Sequence, residues 1–336
     1  MPAVPTRSFP STFALELNGS LVGRPLSIEG GEPIGEVVTE PVGVDRVTRK
    51  HLGGVDYEDI VVECGAGMAD SFYAWIADTL DHTFSRKNGA IVTADMNGKE
   101  VTRRTFEGAV VSSVGFPALD AASKDTARLR VALTPDVTRR KPPGGAKPSE
   151  KLTASKKWLA SAFRLKIDGL DCTKVLRIEP IVVFVRSQQA PVGELRIPTI
   201  DARIDVPDLV VTLAESGAAT WDAWVDDFLV AGNDAQDREK SGTLELLAQD
   251  LTTKLFTLHF SGLGIYRLHR VKQPAGSEAI PRVTASLYCE QLRLTVGAAQ
   301  PKPATAPAPV VALPGQPLRP VRLDPPPDRP TIRLPQ

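Results

Sequence analysis

The chain has 336 residues, 40 of them basic and 40 acidic, with 42% hydrophobic residues and 6% aromatic. That length suits two domains, each burying its own core without metals or disulfides. The neutrality is assembled from unequal parts: net −4 over 1–140, +4 over 141–160, −3 over 161–298 and +3 over 299–336. Mildly acidic bodies joined by basic connectors argue against a nucleic-acid surface spread over a folded domain, which gathers Lys and Arg on one face.

In chain order, FALELNG (13–19) alternates Phe13, Leu15 and Leu17 with Ala14, Glu16 and Asn18, the period of a half-buried strand ending at a glycine turn. RVTRKHLGG (46–54) reads as a basic loop, either a solvated turn or an electrostatic contact with a neighbouring subunit. DIVVE (59–63) is an apolar strand core. In GMADSFYAWIADTL (67–80), Met68, Phe72, Trp75, Ile76 and Leu80 recur at the spacing of an amphipathic helix. RKNGAIVTADMNGKEVTRRTFEGAVV (86–111) follows as a Gly turn, a strand, a polar loop and a second strand with Phe-x-Gly, and TARLRVAL (126–133) closes the set.

The same series is then written again. FRLKIDG (163–169) answers FALELNG, and DLVVT (208–212) answers DIVVE at an offset of 149. Trp221, Trp224, Val225, Phe228 and Leu229 repeat the helical stripe, and EKSGTLELLAQDLTTKLFTLHFSGLG (239–264) repeats the strand pair, with Phe260 for Phe106. VTASLYCEQLRL (283–294) closes the second set. Matched blocks in the same order predict an internal duplication. Between them RRKPPGGAKPSEK (139–151) reads as an exposed linker, and SKKWLASAF (155–163) as a short helix leading into the second copy. Of the last 38 residues, 12 are proline, so 299–336 is expected to be extended or disordered.

Chemistry-bearing patterns are few. Cys64, Cys172 and Cys289 lie far apart with no CxxC pair, which speaks against a disulfide framework or a zinc knuckle. His51, His82, His259 and His269 show no HxxxH or HExxH spacing, and no GxSxG, GxxxxGK[ST] or GxGxxG occurs in a suitable place. GAGMAD (65–70) lacks the third glycine and the lysine of a phosphate cradle and reads as a strand-to-helix turn. Asp226, Asp227 and Glu239 read as a solvated helix end rather than an acid–base set. No catalytic residue, cofactor or metal site is expected. Neither a signal-peptide run nor the roughly 20 apolar residues of a spanning helix is present, so a soluble chain made in the cytoplasm is expected.

Read as a series, FALELNG, SIEGGEP, RKHLGGVDYEDIVVECGAGM, FYAWI, RKNGAIV and FEGAVVSSVGFPALDAASKDTARLRVAL resemble the tail tube proteins of contractile phages and related contractile injection systems, over about residues 9–137. The resemblance implies a mainly β fold, two packed antiparallel sheets or a small barrel flanked by one helix, and a structural, non-enzymatic role. It implies hexameric rings around a lumen, with tube, sheath or baseplate proteins as partners and no membrane or sequence-specific nucleic acid. The implied particle is a phage tail or injection device assembled from protein made in a bacterial cytoplasm.

The family's stacking loop falls on 40–56, including Arg46, Arg49 and Lys50, and the helix core anchors are Phe72, Trp75, Trp221 and Trp224. The expected division is a tail-tube-like domain over 1–140, a linker over 141–154, a second, diverged copy over 155–298 and a tail over 299–336. The second copy has RSQQAPVGELRIP (186–198) in place of the RKHLGG phrase. That departure points to a specialised ring near a tube end or a baseplate adaptor as well as to the main tube. Two such copies allow a hexamer with stacked layers or a pseudo-hexameric trimer. The alternative function is a cytoplasmic binding module made of duplicated β domains. Limited proteolysis is expected to cut first within 139–151 and beyond residue 300, and early cleavage inside 59–133 overturns the division.

Overall fold

In the computed structural model the described residues are 12–40, 48–95, 99–143, 158–187, 202–272 and 280–297. Arg46, linker residues 144–154 and the tail from 299 lie outside them. The first half runs β1 (Thr12–Leu17), β2 (Ser20–Gly23), β3 (Ser27–Glu29), β4 (Pro33–Glu40), β5 (Arg49–Tyr57), β6 (Ile60–Cys64), α1 (Asp70–Leu80), β7 (Lys87–Ala94), β8 (Glu100–Phe116), β9 (Leu119–Asp120), β10 (Leu129–Thr134) and β11 (Val137–Lys141). The second runs β12 (Trp158–Ile167), β13 (Val175–Ile178), β14 (Ile181–Ser187), β15 (Ala202–Asp205), β16 (Leu209–Ala214), α2 (Ala219–Trp224) with a π-helical continuation over Val225–Val230, β17 (Lys240–Ala248), β18 (Lys254–Arg270) and β19 (Arg282–Val296). The protein is mainly β, and every strand pair is antiparallel.

Strand faces follow the alternation in the sequence. Ile60, Val62 and Cys64 of β6 are buried, as are Leu209, Val211 and Leu213 of β16. One sheet follows the order β2-β1-β7-β8-β10-β6-β3, and the other β12-β17-β18-β19-β16-β13-β9. Both halves bend their long strand by the same device. Pairing of β7 with β8 slips between Lys87↔Ala109 and Gly89↔Phe106, and that of β17 with β18 slips between Lys240↔Leu263 and Gly242↔Phe260. At each slip the Phe-x-Gly glycine is left-handed, Gly108 at φ +65° and Gly262 at φ +66°. A β-bulge of this kind needs a residue free of the Cβ clash, which explains the phrase in both halves. Further along, Leu133↔Val111 in the first half and Leu287↔Ile265 in the second mark another slip, each position 154 residues on.

Four segments differ from the expectation. Residues 139–141, read as the start of the linker, close β11 against β8 from Arg139↔Thr105 to Lys141↔Arg103. Residues 158–163 are strand, because Trp158, Ala160 and Ala162 point inward in alternation. RKHLGG belongs to a paired strand, β5, rather than a loop. The second helix changes pitch: the Ala231 N–H bonds the Asp226 carbonyl at 2.9 Å, an i→i+5 closure. That wider turn takes Leu229 off the apolar stripe to 48% exposure while Phe228 stays buried.

The halves share hydrogen bonds and core. β14 pairs with β8 (Ile181↔Phe116 to Phe184↔Ser113), and β9, within the FPALDAASKD phrase, pairs with β13 (Leu119↔Ile178). The Ala127 N–H donates to the Trp158 carbonyl at 2.9 Å. Phe256 meets Tyr73 at 5.0 Å and Trp158 at 5.7 Å between ring centroids, and Arg293 pairs with Asp81 at 3.1 Å. One hydrophobic cluster therefore draws on both halves, and all described residues fall within the compact unit Met1–Pro301.

Burying a large aromatic contributes several kcal/mol, through the transfer of apolar surface and the avoidance of a cavity. Trp75→Ala and Trp224→Ala are each expected to lower the unfolding free energy by about 3–5 kcal/mol. Chemical denaturation followed by fluorescence measures this, and an unchanged midpoint would contradict the packing described.

Candidate assembly surfaces

β4 and β5 form a two-stranded ribbon from Pro33↔Tyr57 to Glu40↔Arg49, with no third strand beside it among the described residues. Its apolar side chains are open to solvent: Ile34 48%, Val37 59%, Leu52 72% and Val55 60% exposed. An isolated hairpin is marginal in water, so its base must hold it. Arg104 donates to the Gly30 carbonyl at 2.7 Å and also to the Glu32 carboxylate. Arg140 donates to Glu32 at 2.9 Å, and the Thr138 hydroxyl donates to the Gly31 carbonyl at 2.7 Å. Burial tends to raise the pKa of Glu32, but the hydrogen bonds from Arg140 and Arg104 outweigh it and hold the carboxyl below its ordinary value. Gly30 is left-handed at φ +79°, and a Cβ there would lie 2.0 Å from the Asp59 carbonyl oxygen. The GG of SIEGGEP thus lets the chain turn tightly into the ribbon.

Of the three basic residues assigned to a stacking loop, Arg49 and Lys50 open β5 and are exposed, opposite Glu40 and Thr39. His51 Nδ1 lies 3.6 Å from the Glu40 carboxylate. Arg46 lies outside the described residues.

Phe72, Trp75, Trp221 and Trp224 sit inside, at 0%, 1%, 0% and 6% exposure. The Trp75 indole donates to the Ser85 carbonyl at 2.9 Å, and that of Trp221 to the Asp171 carbonyl at 3.0 Å. A lysine covers one tryptophan in each half, Lys87 at 5.6 Å from the ring of Trp75 and Lys240 at 5.3 Å from that of Trp224. Cation–π contact of this kind adds to the burial.

A second open surface has no signal in the sequence. β17 leaves β18 at Lys240↔Leu263, and beyond that point only β19 pairs with β18 among the described residues. Residues 266, 267, 269 and 270 are exposed there. Nothing in the residue types of β18 announces a missing neighbour.

Burial pushes the Cys64 thiol up to about 12 and that of Cys289 to about 11. Burial, with Lys254 and Arg293 nearby, lowers the pKa of His259, whose Nε2 lies 3.0 Å from Thr295 Oγ1. In the GAGMAD turn two amides are occupied: the Met68 N–H donates to the Tyr73 hydroxyl at 3.0 Å and the Ala69 N–H to the Val22 carbonyl at 2.6 Å. Asp227 accepts from Asn233 at 2.6 Å and Glu239 from the Tyr288 hydroxyl at 2.8 Å, so the two carboxylates serve separate local contacts.

Residues 34–135 match the family model of the T4-like virus tail tube protein gp19. Among solved structures, the chain is similar to one in the cryo-EM structure of the anti-feeding prophage (AFP) baseplate, 6-fold symmetrised, at 17% identity over 42% of this chain and 97% of that one, with a TM-score of 0.36. It is similar to a chain of the extracellular contractile injection system PVC sheath/tube terminator in the extended state, at 16% identity over 42% of this chain and 99% of that one, TM-score 0.34. It is also similar to Hcp1 from Flavobacterium johnsoniae, at 16% identity over 40% of this chain and 96% of that one, TM-score 0.26. No curated protein matches the chain.

Gly30→Ala forces a Cβ into a carbonyl and strains a left-handed residue, and Arg104→Ala removes its two donations to Gly30 and Glu32 while leaving those of Arg140 and Thr138. Each is expected to speed amide hydrogen exchange across 33–40 and 49–57, with Gly30→Ala costing at least about 1 kcal/mol of stability. Unchanged exchange in the ribbon would show that its base is held otherwise.

Proposed function

We propose that this chain is a duplicated tail-tube fold that builds a ring of six such domains around a lumen, as a structural component of a contractile phage tail or contractile injection particle. The observation that carries the reading is the match of residues 34–135 to the tail tube family. It is supported by the second half, which repeats the strand registers of the first down to both slips on the long strand. In this reading 1–140 and 155–298 are the two copies, 141–154 joins them, and 299–336 is a proline-rich tail.

A ring suits the physics of this chain. Open strand edges invite uncontrolled pairing, and a closed ring removes them by pairing each edge with the next. The second copy lacks the RKHLGG phrase, so its axial surface differs from that of the first. That difference favours a specialised ring at a tube end, or a baseplate adaptor, over a subunit repeated along the whole tube. Tube, sheath or baseplate proteins are the partners, through axial surfaces that include Arg49 and Lys50. Among the described residues no helix is long and apolar enough to cross a membrane. Negative-stain electron microscopy of the purified full chain is expected to show rings or short stacks with a central hole. Particles without a hole at all concentrations would overturn the reading.

A further inference from the structure

The two halves treat the outer edge of their first strand differently. In the first half β1 runs through a turn at Asn18 (φ +48°) and Gly19 (φ +82°) into β2, which pairs back along it from Leu17↔Ser20 to Leu15↔Gly23. In the second half β12 reaches the corresponding turn at Gly169 (φ +74°), and the Leu170 N–H bonds the Ile167 carbonyl at 3.1 Å. The chain then leaves the edge. The Asp171 N–H donates to Thr220 Oγ1 at 2.9 Å, and the Trp221 indole donates to the Asp171 carbonyl at 3.0 Å. The Asp171 carboxylate accepts from the Thr173 N–H at 2.9 Å and from its hydroxyl at 2.6 Å. The residues that answer β2 are thus tied to α2, and along 163–167 β12 has β17 as its only strand neighbour among the described residues.

The pairing geometry fixes which groups face the gap. The Asp168 N–H bonds the Ser241 carbonyl at 2.9 Å, so Asp168, Lys166 and Arg164 direct their backbone groups to β17. In an antiparallel ladder the residues between them point the other way. The N–H and C=O groups of Phe163 and Leu165 therefore face away from β17, as those of Leu15 and Leu17 face β2. Beside them lies a groove of about 540 Å³ whose apolar lining includes Phe163, Leu165, Ile167, Leu170 and Val175.

The rim of this groove is basic. Arg164 and Lys166 line it, and with Lys254 they act on the buried carboxylate of Glu245, which holds Arg164 at 3.1 Å and Lys254 at 2.6 Å. With Asp171 counted, three cations face two carboxylates. Lys166 is exposed and holds no ion pair among the described residues.

We infer that the groove takes an extended segment of a partner protein in which apolar residues alternate with acidic ones, added as a strand along 163–167 in the place that β2 holds in the first half. Such a strand gains affinity from main-chain bonds to Phe163 and Leu165, and specificity from its alternate side chains. One set enters the groove, where Leu165 and Ile167 are buried and Phe163, Leu170 and Val175 are half-buried. The other set lies opposite Arg164 and Lys166, where acidic residues complete cross-strand pairs. Charge selects this occupant over the chain's own connectors, since 141–160 carries net +4 and 299–336 net +3. The groove lies within a single chain, so its occupation does not depend on a ring.

A dye-labelled hexapeptide of alternating Val and Glu is the probe, with an alternating Val and Lys hexapeptide as the control. Titrated with the full chain and followed by fluorescence anisotropy, the acidic peptide is expected to bind saturably, and the basic one not to bind at concentrations up to about 1 mM. Saturation with the acidic peptide is expected to slow amide hydrogen exchange at 163–167 and not at 13–17, whose edge β2 already covers. Lys166→Gln changes one exposed side chain and is expected to weaken binding about two- to fivefold. Absence of binding, equal binding of the two peptides, undiminished binding by Lys166→Gln, or binding without slowed exchange at 163–167 would each overturn the docking. Exchange at 163–167 as slow in the free chain as at 13–17 would show the groove filled by the chain itself, and overturns it as well.

Discussion

The structure is governed by what becomes of the far edge of a 17-residue strand. β8 is twice as long as its neighbour β7, so its last residues carry backbone donors and acceptors that β7 cannot reach. Unpaired backbone groups at a buried position cost as much as a lost hydrogen bond, and here β14 from the other half of the chain meets them. Once β14 is in place, β13 is brought to β9 and β12 is held beside residues 125–127. Phe256 can then pack between Tyr73 and Trp158. The core common to both halves follows from that one edge.

The long strands serve this arrangement because they bend. Left-handed glycines at 108 and 262 relieve the bulges, and the second slip at Val111 or Ile265 turns the strand again before its far end. The first part of each strand can thus lie in its own half while the last part projects towards a neighbour. In the first half that neighbour is β14, and in the second no described strand takes the place.

Charge differs between the halves where packing does not. In the first half Arg103 joins Glu16 at 2.7 Å and the buried Glu100 at 2.9 Å, tying β1 to β8. In the second half the buried Glu245 of β17 holds Arg164 of β12 at 3.1 Å and Lys254 of β18 at 2.6 Å. The first cluster links two strands with a single cation between two carboxylates, and the second links three with a single carboxylate between two cations. A buried charge is tolerated only when paired, so each half had to solve the problem within its own set of residues. The hydrogen bonds and nearby charges at Arg103 raise its pKa, and those from Lys254 and its neighbours overcome burial to lower that of Glu245.

The sequence by itself determined the strand faces of FALELNG, DIVVE and DLVVT, the presence of α1, and the block order shared by the halves, because periodicity reports which side chains are buried. It did not reveal that RKHLGG is a paired strand, since an exposed ribbon has no buried face to impose alternation. Nor did it show the strand at 158–163, where the helix-forming Leu and Ala residues are overridden by inward packing of Trp158 and Ala160. The pitch change after Trp224 was equally hidden, because a π turn alters spacing without altering residue type. Which strand lies beside which, and which edges remain open, was decided only in the tertiary structure. Backbone hydrogen bonding is the same for every residue but proline, so partner choice leaves almost no mark in the residue types along the chain.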